Sequence, residues 1–254
     1  MWKYFGTFVN VLTVIMGSCL GLALRSRSKA GKKSIREPLP DTMMACLGLC
    51  TVFAAASGLI GVESGAQAIV VVASMVGGLL IGYLLRIDDR INSLGDKLAD
   101  KTGGSANVSN PAAGFVTACM LFCIGSMTIL GSFEGAQNPA GRLELNCHTT
   151  LLIKSLLDFV SSTCLSVTYG ASVIASAGFV LVFQGGLTLL AGLVGPALSA
   201  AVVTEMSAVG GTILIGMAVN MLGLGKERIK VANMLPAIFL PLLYFPVSQW
   251  ISLL

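Results

Sequence analysis

Charge is scarce in this sequence. Only 11% of the residues are charged, against roughly 25% in an average soluble domain, too few to coat a water-soluble protein of 254 residues. Histidine is scarcer still, with His148 the single example. The seven cysteines form no CxxC and have no zinc-ligand spacing with His148, so neither a disulfide framework nor a zinc site is indicated. Aromatics make up 7% of the chain and do not interleave with the basic residues, which leaves no surface suited to nucleic acid. The sequence also lacks a Gly-rich loop before Lys-Ser/Thr, an HExxH and a GxSxG, and with them the common signatures of phosphate, zinc and acyl chemistry. No enzymatic activity and no cofactor are expected.

What is present is long apolar text. Successive runs of about 20 residues match the length at which a helix crosses ~30 Å of hydrocarbon. They show no alternation of polar and apolar residues, so a transmembrane barrel is excluded. The predicted fold is all-α: a polytopic transmembrane bundle of about eight helices in one domain, residues 1–254. The runs lie near 6–24, 42–60, 67–86, 113–131, 150–169, 172–194, 205–223 and 232–253. The first lacks the basic start and cleavage site of a signal peptide and is expected to be retained. A polar linker over 87–112 separates three helices (1–86) from the remaining five (113–254). The fifth run is the least apolar and is open to a re-entrant reading. Thirty glycines, with many Ala, Ser and Thr, suit close helix packing in lipid and are compatible with a homo-oligomer.

Basic residues cluster in three loops, with six at 25–36, four at 86–101 and three at 226–230. Eight spans put all three on one side, which the positive-inside rule makes the cytoplasm of a bacterial inner membrane. Both termini are then external. Two stretches align weakly with later ones: 41–85 with 205–249, an inverted repeat, and 74–82 with 207–216, a parallel one. Neither sense is preferred.

Ionisable side chains are costly in hydrocarbon, at least ~2.5–3.5 kcal/mol on insertion scales, and therefore mark function or pairing. Lys154 and Asp158 stand one turn apart in the fifth run and face the same way. Gln184 precedes Gly185 and Gly186, where a helix could unwind to expose carbonyls. Glu205 opens the seventh run ahead of Gly210 and Gly211, in a position suited to a helix N-terminus. Asn10, Asn220 and Asn233 offer amide oxygens to a cation or polar solute, and Pro236 can kink the last helix. Each also has a structural reading as interhelical glue. Cys46 with Cys50 and Cys119 with Cys123 would hold a soft metal ion only if their helices faced each other. His148 is expected on an external loop surface.

The segments GTFVNVLTVIMGSCLGL, GFVTACMLFCIGSMTILGSFEG, KSLLDFVSS, VFQGG, EMSAVGGTILIGMAVNMLGL and IKVANMLPA resemble a family of uncharacterised bacterial inner-membrane proteins, the YdfK/YqgA type with domain of unknown function 554. The resemblance covers nearly the whole chain, and the family's recurring polar positions fall on Asn10, Lys154, Asp158, Gln184, Glu205, Asn220 and Asn233. It names no substrate. The expectation is a transporter or channel for a small polar solute or ion, with Gln184, Asn10 and Asn220 at the midplane and Lys154–Asp158 as its charged pair. The alternative is a non-transporting sensor or scaffold whose basic loops meet anionic membrane lipids.

Overall fold

The computed structural model describes residues 2–30, 38–101, 111–138, 143–194 and 200–243. No strand occurs among them, as expected where the backbone must satisfy its own polar groups without water. The helices are α1 (Phe5–Ala30), α2 (Pro38–Leu59), α3 (Gly65–Leu84), α4 (Ile87–Lys101), α5 (Pro111–Ile124), α6 (Ser126–Ala136), α7 (Thr149–Tyr169), α8 (Ser172–Val194) and α9 (Ala200–Leu222). A 3-10 helix, Val231–Phe239, follows α9. Six helices are long and apolar enough to cross a membrane, and a seventh span results if the bent pair α5–α6 counts as one. Large apolar side chains point outward, Phe53 and Leu84 each 81% exposed, as a lipid-facing exterior requires.

Glycines set the helix contacts and reveal the directions. Gly6 lies beside Leu151, Gly17 against the Phe159 carbonyl and Ser162, and Gly21 against the Thr163 carbonyl. The Arg25 guanidinium donates to the carbonyls of Val167 and Thr168 at 3.2 and 3.1 Å. α1 and α7 therefore run parallel. On α3, Gly78 abuts the Ala237 backbone and Gly82 the Asn233 carbonyl, so α3 and the 3-10 helix are antiparallel. Gly17–Gly21 and Gly78–Gly82 are both GxxxG pairs, in which the missing side chains admit a neighbouring backbone. α2 and α9 are also antiparallel, with Gly48 beside Leu222 and Gly61 beside Thr204. The stretches that align as an inverted repeat thus pack in opposite directions against each other.

The described residues of the three basic stretches gather at one end, Arg25 among them through its bonds near the end of α7. Lys230 approaches Asp89 at 3.7 Å between exposed side chains, and Arg228 reaches the Thr117 hydroxyl at 3.5 Å. The turn Trp2–Tyr4 lies at the opposite end, where Gly135 touches the Lys3 carbonyl.

Three expectations change, and one alternative left open for the fifth run is resolved. The linker at 87–112 begins with a helix, α4, whose buried Ile91 joins the main core, while its TGGSANVSN stretch lies outside the described residues. The fourth run is not one straight span. It breaks at Gly125, where α5 and α6 meet at 54°, and the Thr128 hydroxyl and amide cap the open carbonyls of Phe122 and Gly125 at 3.0 and 2.9 Å. The fifth run is a continuous helix of 21 residues, not a re-entrant one. The last run starts as a 3-10 helix with Pro236 inside it, and its end, 244–254, lies outside the described residues.

A buried polar cluster beside the helix break

The inward face of α7 carries Leu151, Lys154, Ser155, Asp158, Ser162, Leu165 and Ser166, the three-to-four-residue recurrence of one helix face. Lys154 Nζ donates to Asp158 Oδ2, and the pair's side chains are 5% and 7% exposed. Serines beside the pair spend their protons locally, Ser155 on the Leu151 carbonyl at 2.7 Å and Ser162 on that of Phe159 at 3.0 Å. The parallel course of α1 brings Asn10 against the Asp158 carboxylate. Asn10 Nδ2 donates to Gln184 Oε1 on α8 at 3.0 Å, and neither residue has exposed surface. Cys123 on α5 is a further neighbour of both charges. Asn10, Lys154, Asp158 and Gln184 thus form one cluster.

Two of its polar atoms, Asn10 Oδ1 and Gln184 Nε2, have no hydrogen-bond partner. One accepts and the other donates, so the cluster offers a vacant polar contact of each kind. The other flank of the ion pair lines a cavity of about 100 Å³ with Thr51, Ser57, Gly125, Met127 and Ser161. A groove of about 350 Å³ shares Ser57 and Met127 with that cavity and extends past Thr150, Thr204 and Ser207, away from the basic end. A polar basin of about 340 Å³ lies at the basic end, lined by Thr117, Tyr169, Asn220, Lys226 and Arg228. Between cavity and basin stands a contact of the Thr51 hydroxyl with the Met221 sulfur at 3.8 Å.

The remaining sequence candidates lie elsewhere. Asn220 does not join Asn10 and Gln184. Its amide clips the loop after α9, donating to the Ile229 carbonyl at 2.8 Å and accepting from its N–H at 2.9 Å. Asn233 accepts from the Asp88 N–H at 2.9 Å, holding the first turn of α4. Glu205 is not an N-cap, because α9 starts at Ala200. It is 9% exposed in the second turn. α8 does not unwind at Gly185 and Gly186, which face open space. Gly210 and Gly211 instead admit the Ile124 and Ala55 carbonyls. Cys46 and Cys50 are exposed whereas Cys119 and Cys123 are buried, and no group of metal-binding side chains occurs among the described residues.

Sequence reasoning missed the break at Gly125 and the burial of His148. The first had a signal, since the fourth run contains CIGSM, a Gly-Ser pair of the kind found at helix kinks. The second had none, because burial of His148 depends on Gly6 and Gly135, both distant in sequence.

Comparison with known proteins finds relatives along nearly the whole chain. Residues 5–245 match the family described as Protein of unknown function (DUF554). The uncharacterized membrane protein YdfK of Bacillus subtilis (strain 168) is 30% identical over 242 residues, covering 93% of each chain. The uncharacterized protein YqgA of Escherichia coli (strain K12) is 25% identical over 243 residues, covering 92% of this chain and 93% of its own. No solved structure matches. The chain is a multi-pass membrane protein and belongs to the DUF554 family.

Proposed function

We propose that this protein moves a small polar solute or ion across the bacterial inner membrane, with the cluster of Asn10, Lys154, Asp158 and Gln184 as its binding site. One observation carries the reading. A buried ion pair lies between a cavity and two amides with unfilled hydrogen-bonding capacity. A scaffold needs no such vacancies, since each buried unsatisfied group costs about 1–3 kcal/mol. The groove gives the site an approach from one end, and the Thr51–Met221 contact closes the route to the basin at the other. A bend at Gly125 beside the pair is where the two halves of a broken span can move relative to one another.

The positive-inside rule makes the basic end cytoplasmic, so the groove opens outward and the N-terminus is external. Lipid surrounds the bundle, and its numerous small residues suit assembly of several copies. The reading includes no catalysis.

The test is a set of proteoliposome transients on a solid-supported membrane, with small inorganic ions, ammonium and neutral polar solutes added in turn. A response to one class that Gln184→Leu abolishes supports the site. Responses identical to those of protein-free liposomes across the panel count against transport.

A further inference from the structure

His148 is the one histidine of the chain and has no exposed surface. Its position is built by glycine. A Cβ on Gly6 would stand 3.3 Å from His148 Nδ1, and one on Gly135 would stand 3.3 Å from both Nδ1 and Cε1. Phe5 meets the ring edge-on with centroids 5.7 Å apart. A side chain at either position would crowd the ring, so the space His148 occupies depends on both glycines. The Trp2 backbone faces the ring, yet neither ring nitrogen makes a hydrogen bond of normal geometry.

Glu134 on α6 is the charged neighbour of this ring, and its Oε2 is likewise buried without a partner. Two proton-binding groups therefore sit at the end opposite the basic loops. Other charged or titratable groups about them are Lys3 and Tyr4 in the overlying turn, Glu144 and Cys147 at the ring's own turn, Lys154 further along α7, and Glu205 on α9, which packs against α6. α1 and α8 contribute none in that half. Asp158 stands ten residues beyond His148 on α7, about 15 Å at 1.5 Å per residue. Thr7, next to Gly6 on α1, has a buried hydroxyl that also lacks a partner.

The geometry points to a proton-binding site formed by His148 and Glu134, from which protons reach Asp158, so that transport is coupled to protons. This deepens the transport reading above and rests on it. A proton taken up on a ring nitrogen makes His148 a cation facing the Glu134 carboxylate. Its release toward Asp158 restores the neutral imidazole and leaves a neutral carboxyl, which frees Lys154 from its ion partner. Imidazole suits this work because it changes charge across about pH 5 to 8. The basic end holds no second histidine, so the device is asymmetric.

The experiment uses the full chain in liposomes loaded with a pH dye, with a valinomycin–potassium gradient driving protons inward. Wild-type protein should acidify the lumen faster than empty liposomes. His148→Gln and Glu134→Gln should each slow this by about tenfold or more, given the roughly 10²–10⁴ contributed by a positioned proton-transfer group, and Asp158→Asn should do the same. In ¹⁵N-histidine-labelled wild type, the single imidazole signal should move as pH is changed. That measurement does not depend on any variant folding. A signal that stays fixed, or absence of proton flux through wild type, overturns the proposal. Loss of flux in Asp158→Asn with wild-type rates in both His148→Gln and Glu134→Gln overturns the site but spares the transport reading. Equal flux in all four proteins overturns both.

Discussion

Asn10 on α1 and Gln184 on α8 are 174 positions apart in sequence and 3.0 Å apart in space, joined by a hydrogen bond with no solvent contact. The bond ties the α1–α7 pair to α8 at the level of the only ion pair buried among the described residues. An interhelical hydrogen bond in a membrane averages ~0.6 kcal/mol and reaches ~1.7. Removing one partner strands the other, so Asn10→Ala and Gln184→Ala should each destabilise by about 1–3 kcal/mol. A double-mutant cycle followed by unfolding in mixed micelles should give a coupling near 1 kcal/mol. Strict additivity would mean that the bond is not formed.

The ion pair predicts an asymmetry between single and double substitutions. Lys154→Met leaves Asp158 as an uncompensated buried carboxylate and should cost about 3–5 kcal/mol, whereas Lys154→Met with Asp158→Leu should be close to neutral. The check is thermal aggregation of the two purified variants. A double variant no more stable than the single would place the charges in contact with water or lipid headgroups instead.

Glycine positions divide into two groups. Gly82→Ala would drive a methyl group into the Asn233 backbone, and Gly78→Ala one into that of Ala237, so each should cost about 1–3 kcal/mol by overpacking. Gly185→Ala and Gly186→Ala meet nothing within 4 Å and should be neutral or stabilising by up to ~1 kcal/mol, because Ala is the better helix former. Melting temperatures of the four variants decide it.

At the basic end, Asn233→Ala removes the side-chain acceptor from the Asp88 N–H. Loss of such a helix-start bond costs ~0.5–2 kcal/mol. Limited proteolysis should then cut within α4 faster than in wild type, with the spanning helices unaffected. Equal cleavage rates would show that packing of Ile91 alone holds α4.

Much of this was legible in the sequence, for physical reasons. Membrane helices announce themselves by apolar length, and the costly polar residues within them are few enough to name. Lys154–Asp158 was readable because i,i+4 spacing is local. Joining that pair to Asn10 and Gln184 required knowing that α1 runs parallel to α7, which depends on Gly6, Gly17 and Gly21 meeting particular backbone atoms. Asn220 and Asn233 carry the same amide as Asn10, yet they serve loop and helix-start contacts because they fall at helix ends. The continuity of α8 through Gly185–Gly186 shows that a glycine pair permits unwinding without requiring it. The actual break is at Gly125, where Thr128 supplies the replacement hydrogen bonds.

The central claim is that the buried cluster is a site of passage. The most direct measurement compares wild type with the Lys154→Met/Asp158→Leu variant in proteoliposomes, using whichever solute class evokes a wild-type response. The account predicts a folded, stable double variant with no response above that of empty liposomes. A double variant that transports at the wild-type rate would contradict it.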